Sequence, residues 1–266
     1  MKIFQAPKFI VCFTALFFLF SVSSILAKPK DKDRWNSKYK TEAYLFGEKP
    51  IPFLVDNLHL LPKGKALDIA MGEGRNGVYL ATQGFNVIGL DISEKGLEKA
   101  HRLAKKNKVT IKTKVVDLEN FQIEPNTYDV ILCSYYMQKN LFKQFQSGLK
   151  PGGMIVVETY NVDYLNYARF SRQWALKTNE LLDIFKGLRV IRYQDYDDGK
   201  EAFSSIIAQK PKIKKYSKRM THTISKLCEI NPNQINIKGK TTEKLGLIGK
   251  GKAVASEVIA SVIKYD

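Results

Sequence analysis

The chain has 266 residues, 44 % of them hydrophobic, and a formal net charge of +17, so it has room for one large domain, or for one domain and a fragment. The charge lies mostly at the ends: residues 28–40 carry six Lys or Arg against two Asp, and residues 201–266 thirteen against five acidic residues. Such blocks favour anionic surfaces such as lipid headgroups or nucleic acid, but a solvated basic surface is the more common explanation. The absence of RNA-binding and helix-turn-helix signatures argues against a specific nucleic-acid partner. The three cysteines, Cys12, Cys133 and Cys228, have neither metal-ligand spacing nor a disulfide pattern.

The N-terminal sequence carries an apolar run, from Phe9 to Ala27, that follows Lys2 and Lys8. It resembles a secretory signal peptide cleaved after Ala27, and it is also just long enough to cross a bilayer as an uncleaved anchor. More Lys and Arg follow the run than precede it, which by the positive-inside rule keeps the main domain in the cytoplasm. We therefore expect residues 1–27 to be a signal peptide or a membrane anchor. The protein is then membrane-associated through residues 9–27, or exported if the segment is cleaved.

The region after this segment predicts an α/β fold. Residues 35–61 have an amphipathic helical pattern with breaks at Pro50 and Pro52. Strands and helices then alternate, which predicts a mostly parallel, Rossmann-like seven-stranded sheet covered on both faces. The last two strands are close in sequence and predict an antiparallel hairpin at the sheet edge. The predicted strands are 65–71, 86–91, 109–117, 128–136, 154–160, 188–196 and 201–210, and the helices are 75–83, 93–108 (N-capped by Ser93), 138–149 and 179–185.

The pattern changes after Pro211. It predicts a helix at residues 216–228, a strand at 234–240 and an apolar helix at 253–263. Residues 212–266 are therefore expected to form a small α/β extension.

A glycine-rich turn follows the first predicted strand of the sheet. Gly72, Gly74 and Gly77 form a G-x-G-x-x-G motif, and Asp91 ends the next strand nineteen residues after Gly72. Taken alone, this pattern suits a dinucleotide. The glycines let the backbone approach a ligand closely, and the carboxylate accepts hydrogen bonds from ribose hydroxyls.

Two further carboxylates favour a sulfonium ligand instead. Asp68 lies within the first strand, where it would repel a pyrophosphate but attract a sulfonium and an ammonium group. Asp117 ends the third strand, where it can accept a hydrogen bond from an adenine amino group, with Leu118 beside the ring. The strand at 128–136 and the LKPGG turn before the next strand form the far wall.

With these motifs, residues 35–211 resemble class I S-adenosylmethionine-dependent methyltransferases, and most of all the small-molecule group typified by tellurite and thiopurine methyltransferases. The matching motifs are Asp68 with Gly72-Glu73-Gly74, Asp91, Asp117-Leu118, Asp129 to Ser134 and Leu149 to Gly153. The resemblance implies a methyltransferase domain at residues 28–211 that needs cytoplasmic S-adenosyl-L-methionine. The cofactor-binding residues that it implies are Asp68, Gly72, Glu73, Gly74, Asp91, Ile92, Asp117, Leu118 and Cys133.

The acceptor of the methyl group is expected beside the segment that follows the fourth strand. Tyr135 and Tyr136 lie there and are candidates to hold a planar or soft acceptor, although plain packing roles are equally open. Many relatives carry histidines near this position, so histidine-based acid–base chemistry is in doubt here. Trp35 and Tyr39 resemble the family's N-terminal lid, with core packing as the alternative. We expect a small-molecule or metalloid-oxyanion acceptor and no metal.

The tail resembles the C-terminal third of 2-C-methyl-D-erythritol 2,4-cyclodiphosphate synthase. The matching residues are IIAQKPK (206–212), Met220 and INIKGKTTEKLG (235–246), and the resemblance places Thr242 and Glu243 beside a nucleotide diphosphate. The family's zinc site needs an Asp-x-His and a further histidine.

The chain does not supply that zinc site. It holds only three histidines, and none stands in an Asp-x-His: His59, His101 and His222. Both the methyltransferase fold and the synthase fold also require residues 206–212 as a strand, and one strand cannot complete both. We therefore expect residues 212–266 to be a catalytically inactive remnant of the synthase. The alternatives are a bifunctional enzyme and a non-catalytic, membrane-tethered nucleotide-binding module.

Overall fold

The computed structural model describes residues 29–212 and 216–237. The described chain contains one seven-stranded sheet in the order β3-β2-β1-β4-β5-β7-β6. Neighbouring strands from β3 to β5 run parallel, and β7 pairs antiparallel with both β5 and β6. The strands are β1 Lys65–Ile69, β2 Asn86–Asp91, β3 Lys112–Val115, β4 Tyr128–Ser134, β5 Leu149–Tyr160, β6 Arg189–Asp197 and β7 Ala202–Gln209.

Helices cover both faces of the sheet, because its central strands are apolar on both sides. The helices are α1 Pro29–Lys38, α2 Pro52–Asn57, α3 Arg75–Thr82, α4 Glu94–Lys106, α5 Lys139–Gly148, α6 Glu180–Ile184 and α7 Ser217–Cys228. One face packs α5 and α6 through side chains such as Phe142, Phe145 and Leu181. The other packs α2, α3 and α4 through aliphatic side chains such as Val78 and Leu103.

This architecture confirms the fold predicted from the sequence, including the antiparallel edge hairpin of β6 and β7. Ser93 caps α4 as expected, its hydroxyl accepting a hydrogen bond from the Gly96 amide at 3.1 Å. The sequence 206–212, which both resemblances require, lies mostly in β7, whose central residues are buried between β5 and β6. In the structure this strand therefore completes the large sheet.

Four elements differ from expectation. β5 begins at Leu149, so the LKPGG sequence that predicted a turn is part of the strand, next to a register shift in its pairing with β4. The amphipathic pattern at residues 35–61 is not a helix broken only at its prolines, since α1 ends at Lys38 and an irregular segment leads to α2. β3 is shorter than predicted, because only Lys112–Val115 pair with β2. The expected strand at 234–240 does not begin at Gln234. That residue ends a 3₁₀ turn, where its side chain and that of Asn231 form a capping box.

Several expectations fall on residues outside the described part of the chain. They are the signal or anchor at residues 1–27, the end of the strand at 234–240, the helix at 253–263, and Thr242 and Glu243. Among the described residues, none of the helices has the length and apolar content needed to cross a bilayer.

Candidate functional site

The candidate site lies where the strand order reverses between β1 and β4. Connections from β1 and β4 leave on opposite sides of this point, which opens a crevice at the carboxyl ends of the strands. The loop from Ala70 to Gly74 runs along the crevice from the end of β1 to the start of α3.

Asp68 is a buried carboxylate beneath the glycine loop. Its side chain is 2 % exposed, and its Oδ2 has no hydrogen-bond partner among the described residues. Burial raises the pKa of Asp68 to about 8, and a backbone hydrogen bond from Gly77 offsets only part of this effect. An unpartnered buried oxygen is costly, so Asp68 is suited to a cationic or hydrogen-donating ligand.

Asp91 organises the loop from the end of β2. Its Oδ2 accepts a hydrogen bond from the Gly72 amide at 2.7 Å, and its Oδ1 accepts one from the Ser93 amide at 2.8 Å. Burial raises the pKa of Asp91, and these two amides act in the opposite direction. Because each carboxylate oxygen has two lone pairs, Asp91 keeps acceptor capacity for a ligand hydroxyl.

The glycines of the motif are required by close packing. A Cβ atom at Gly74 would lie 2.6 Å from Cβ of Ala100 on α4, and Gly74 has a φ of +88°. A Cβ atom at Gly77 would lie 2.6 Å from Oδ2 of Asp68. The glycines therefore bring α3 against both α4 and the buried carboxylate.

Glu73 does not turn its side chain toward the crevice. Its carboxylate forms a buried ion pair with the ammonium of Lys99 on α4, and both side chains are at most 3 % exposed. Lys99 also donates to the carbonyls of Thr41 and Ala43, at 3.0 and 2.6 Å. Any contact between Glu73 and a ligand would therefore use its backbone, and the side chain instead fixes the segment after α1.

That segment places Tyr39 over the glycine loop. The hydroxyl of Tyr39 lies 2.8 Å from where a Cβ atom at Gly72 would be, and Trp35 stacks on the Tyr39 ring at 5.5 Å. Asn36 binds the N-terminus of α4 by accepting from the Ser93 hydroxyl at 2.7 Å. Tyr39 is 6 % exposed and Trp35 is partly exposed, so the structure packs Tyr39 on the glycine loop. The role of the pair as a lid over a ligand stays a prediction.

The β2–β3 side of the crevice carries the remaining cofactor candidates. Asp117 is partly exposed and accepts a hydrogen bond from the Glu119 amide at 3.0 Å, and Leu118 beside it is 4 % exposed. Ile92 follows Asp91 and is partly exposed. Leu118 connects to the β4 side, because its carbonyl accepts from Gln138 at 3.0 Å.

Cys133 and Tyr136 are close in sequence but differ in exposure. The Cys133 side chain has no exposed surface and lies within the core, so a ligand at the crevice would meet only its backbone. Tyr136 is partly exposed, and its hydroxyl donates to Gln138 at 2.6 Å. Tyr136 therefore links the end of β4 to the β3 side of the crevice.

Tyr135 belongs to a second polar group, over β4, β5 and β7. Its hydroxyl is hydrogen-bonded to Glu158, which is 1 % exposed and also accepts from the Ser205 hydroxyl at 2.8 Å. Burial raises the pKa of both Tyr135 and Glu158. The Arg75 guanidinium lies 5.6 Å from the centroid of the Tyr135 ring, and Tyr160 packs on the ring at 4.8 Å.

Sequence reasoning missed Glu158, Ser205 and Arg75 on this side. The sequence did hold one signal, the single acidic residue of β5, which directly follows the apolar run MIVV. Buried strand positions exclude charge unless it has partners, so the carboxylate indicated a polar group near the carboxyl end of that strand.

Ala70, at the end of β1, adopts a left-handed backbone conformation with a φ of +53°. Left-handed geometry costs alanine more than glycine. We expect Ala70→Gly to raise the free energy of unfolding by about 0.5–1 kcal/mol, measured by urea denaturation. As a control, Ala81→Gly in α3 should lower it by about 1 kcal/mol. A loss of stability in both variants would contradict the proposed strain at Ala70.

Comparisons with known proteins find matches for two separate regions of the chain. Residues 66–153 match the methyltransferase domain family, and residues 187–263 match the YgbB family. The bifunctional enzyme IspD/IspF of Pelagibacter ubique is 69 % identical over 62 residues, which cover 23 % of this chain and 17 % of that protein. The 2-C-methyl-D-erythritol 2,4-cyclodiphosphate synthase of Actinobacillus pleuropneumoniae is 37 % identical over 81 residues, covering 30 % of this chain and 51 % of the synthase. The chain thus spans about half of the length of the synthase and 17 % of the length of the bifunctional enzyme.

Solved structures share the fold at low sequence identity. A protein from a study of the conversion of a disulfide bond into a thioacetal group in echinomycin biosynthesis has a TM-score of 0.55 and 15 % identity, covering 72 % of this chain and 98 % of that one. TehB from Haemophilus influenzae has a TM-score of 0.52 and 21 % identity, covering 67 % and 66 %. An S-adenosylmethionine-dependent methyltransferase from Methanosarcina mazei has a TM-score of 0.50 and 17 % identity, covering 62 % and 99 %. The chain therefore has the fold of S-adenosylmethionine-dependent methyltransferases. Residues 66–153 match the methyltransferase domain family, and residues 187–263 match the YgbB family.

Proposed function

We propose that the chain is an S-adenosylmethionine-dependent methyltransferase that acts on a small molecule or a metalloid oxyanion. The observation that carries the proposal is Asp68, a buried carboxylate with an unpartnered Oδ2 beneath the glycine loop. A pyrophosphate ligand would be repelled by this group, whereas a sulfonium or an ammonium would be attracted. The methyltransferase family match at residues 66–153 supports the same ligand.

The residues around the loop fit this cofactor. Asp91 has acceptor capacity for ribose hydroxyls. Gly72 and Gly74 offer backbone without a side chain, and Glu73 between them pairs its side chain with Lys99. Asp117 and Leu118 lie on the β3 side, where a carboxylate and an apolar side chain suit an adenine ring. Asp68 would then face the amino-acid half, toward β4.

Methyl transfer depends mainly on positioning and desolvation. When bound, S-adenosylmethionine supplies an activated methyl group for in-line displacement by the acceptor. Tyr39 packs on the loop and Trp35 stacks on Tyr39, and we expect the pair to exclude water from a bound cofactor. Tyr135, with Arg75 beside its ring, lies on the β4 side where the acceptor is expected. A cation near the acceptor is compatible with an oxyanion.

The YgbB match favours a second candidate function, the cyclodiphosphate synthase reaction. This match begins at residue 187 and so includes β6 and β7, which the structure places in the large sheet. The two strands are therefore committed to the methyltransferase fold, which supports a passive role for the remaining segment. Turnover of the synthase's cytidine diphosphate substrate by the purified chain, with zinc supplied, would refute that role.

We also propose membrane association through residues 9–27, on the apolar sequence of that segment alone. If the segment is cleaved instead, the protein is exported. The cofactor requirement favours a cytoplasmic position for the methyltransferase domain. Sodium carbonate extraction of cell membranes separates an anchored chain from a soluble one.

Calorimetric titration of the full chain tests the cofactor. We expect S-adenosylmethionine to bind and NAD not to bind. Asp91→Ala should abolish binding, because it removes the ribose acceptor and the group that holds the Gly72 amide. The matched control is Asp129→Ala at the opposite end of the sheet, where the carboxylate also accepts a backbone hydrogen bond, from Lys65 at 2.8 Å. Binding of NAD alone, or of neither ligand, would overturn the proposal.

A further inference from the structure

The helix α7 exposes an apolar stripe. Leu227 is 78 % exposed, Met220 40 % and Tyr216 39 %, and Ile224 lies between them at helical spacing. Residues three and four apart lie on one face of a helix. Within the described residues α7 packs mainly on the neighbouring 3₁₀ turn Pro232–Gln234. The stripe therefore faces outward.

The rest of the helix is basic. Lys218, Arg219 and Lys226 are exposed, and Ser217–Cys228 contains no acidic residue. None of the ion pairs found in the described part of the chain involves these three cations. Their charge is thus available to an anionic partner.

We propose that α7 is an interfacial helix that docks on an anionic lipid bilayer. Its apolar stripe would enter the boundary between headgroups and acyl chains, and its cations would lie among the headgroup phosphates. The inference does not depend on the function of the crevice. It also differs from the proposed anchor at residues 9–27, because it concerns the other end of the chain.

Charge decides against the other occupants. Pairing α7 through its stripe with a second copy of itself would bring together Arg219 and Lys226 of both copies, which flank the stripe, and this is unfavourable. A nucleic acid would satisfy the cations but leave Leu227 and Met220 in water. An anionic bilayer accommodates the stripe and the cations at once.

Cys228 provides a reporter beside the stripe. It is exposed and adjoins Leu227, whereas the Cys133 side chain is fully buried. In the full chain carrying Cys12→Ser, a polarity-sensitive maleimide dye would therefore label Cys228. The dye reports on α7 itself, even if residues 9–27 already hold the protein on the vesicle.

We expect the dye emission to shift to the blue on phosphatidylcholine vesicles that contain about one third phosphatidylglycerol, and far less on pure phosphatidylcholine. The double variant Met220→Gln, Leu227→Gln should need about ten times more vesicles to reach half of the maximal shift. Lys218→Gln and Arg219→Gln should each raise this vesicle concentration about fivefold. The matched control is Val115→Gln, which alters an equally exposed apolar residue on β3 and should change nothing.

Three results would overturn the proposal. One is an equal shift on both kinds of vesicle. Another is unchanged emission from protein that floats with the anionic vesicles. The third is a shift without vesicles that grows with protein concentration, which would assign the stripe to a second copy.

Discussion

Replacing Asp68 with asparagine is expected to abolish S-adenosylmethionine binding and, at the same time, to stabilise the protein at alkaline pH. Both effects follow from the burial of an unpartnered carboxylate. The charged form attracts the cationic ligand, but in its absence the charge has to be buried without compensation.

The sign of the pH effect follows from the direction of the pKa shift. The pKa of Asp68 rises from 3.8 to about 8 on folding, because of burial. Between these two pKa values the folded protein keeps the Asp68 proton, whereas the unfolded chain has released it. The contribution of Asp68 to stability is therefore least favourable above the folded-state pKa. Stability of the wild type should decline as the pH rises through this window, whereas the asparagine variant should lack this contribution.

Thermal unfolding without ligand, followed from pH 5 to pH 9, measures the effect. The difference in Tm between Asp68→Asn and the wild type should grow in favour of the variant as the pH rises. Asp129→Asn serves as the control, because Asp129 pairs with Lys150 at 2.6 Å and its loss should reduce stability. Full cofactor affinity in Asp68→Asn would show that Asp68 does not bind the cofactor.

Replacing Lys99 with methionine is expected to cost about 3–5 kcal/mol of unfolding free energy. The substitution leaves Glu73 as a buried charge without its partner, and it removes the donor to the carbonyls of Thr41 and Ala43. Those carbonyls belong to the segment that follows Tyr39. We therefore expect faster proteolysis of residues 40–47 in this variant.

Urea denaturation measures the cost against a matched control on the same helix. Lys106 pairs with Glu48 in solvent, at 2.6 Å, so Lys106→Met should lower the free energy of unfolding far less than Lys99→Met. Adding Glu73→Gln to Lys99→Met should restore part of the lost stability, because it removes the uncompensated charge. Equal costs for Lys99→Met and Lys106→Met would show that the buried pair is not the determinant.

The sequence predicted the parts of the site that local geometry requires. Asp68 and Asp91 were found because they lie at fixed distances from a glycine turn between strands, where the backbone restricts which residues fit. The sheet followed from the alternation of apolar strands and amphipathic helices. These features depend on residues close in sequence.

Features that depend on distant contacts were not predictable in the same way. Glu73 is adjacent to the loop glycines, yet its partner is Lys99, and nothing local indicates that pair. Glu158 and Ser205 come together only because β7 lies beside β5. The segment after α1 has a helical pattern, but buried bonds to α4 hold it in an irregular course.

The position of β7 also has a consequence for synthesis of the protein. β6 emerges from the ribosome before β7, but it joins the sheet only through β7. Until Gln209 has been made, the edge of β5 keeps its backbone groups unpaired and open to strands of other chains. The hairpin must therefore be added as one late unit, and nascent chains interrupted inside it are expected to aggregate.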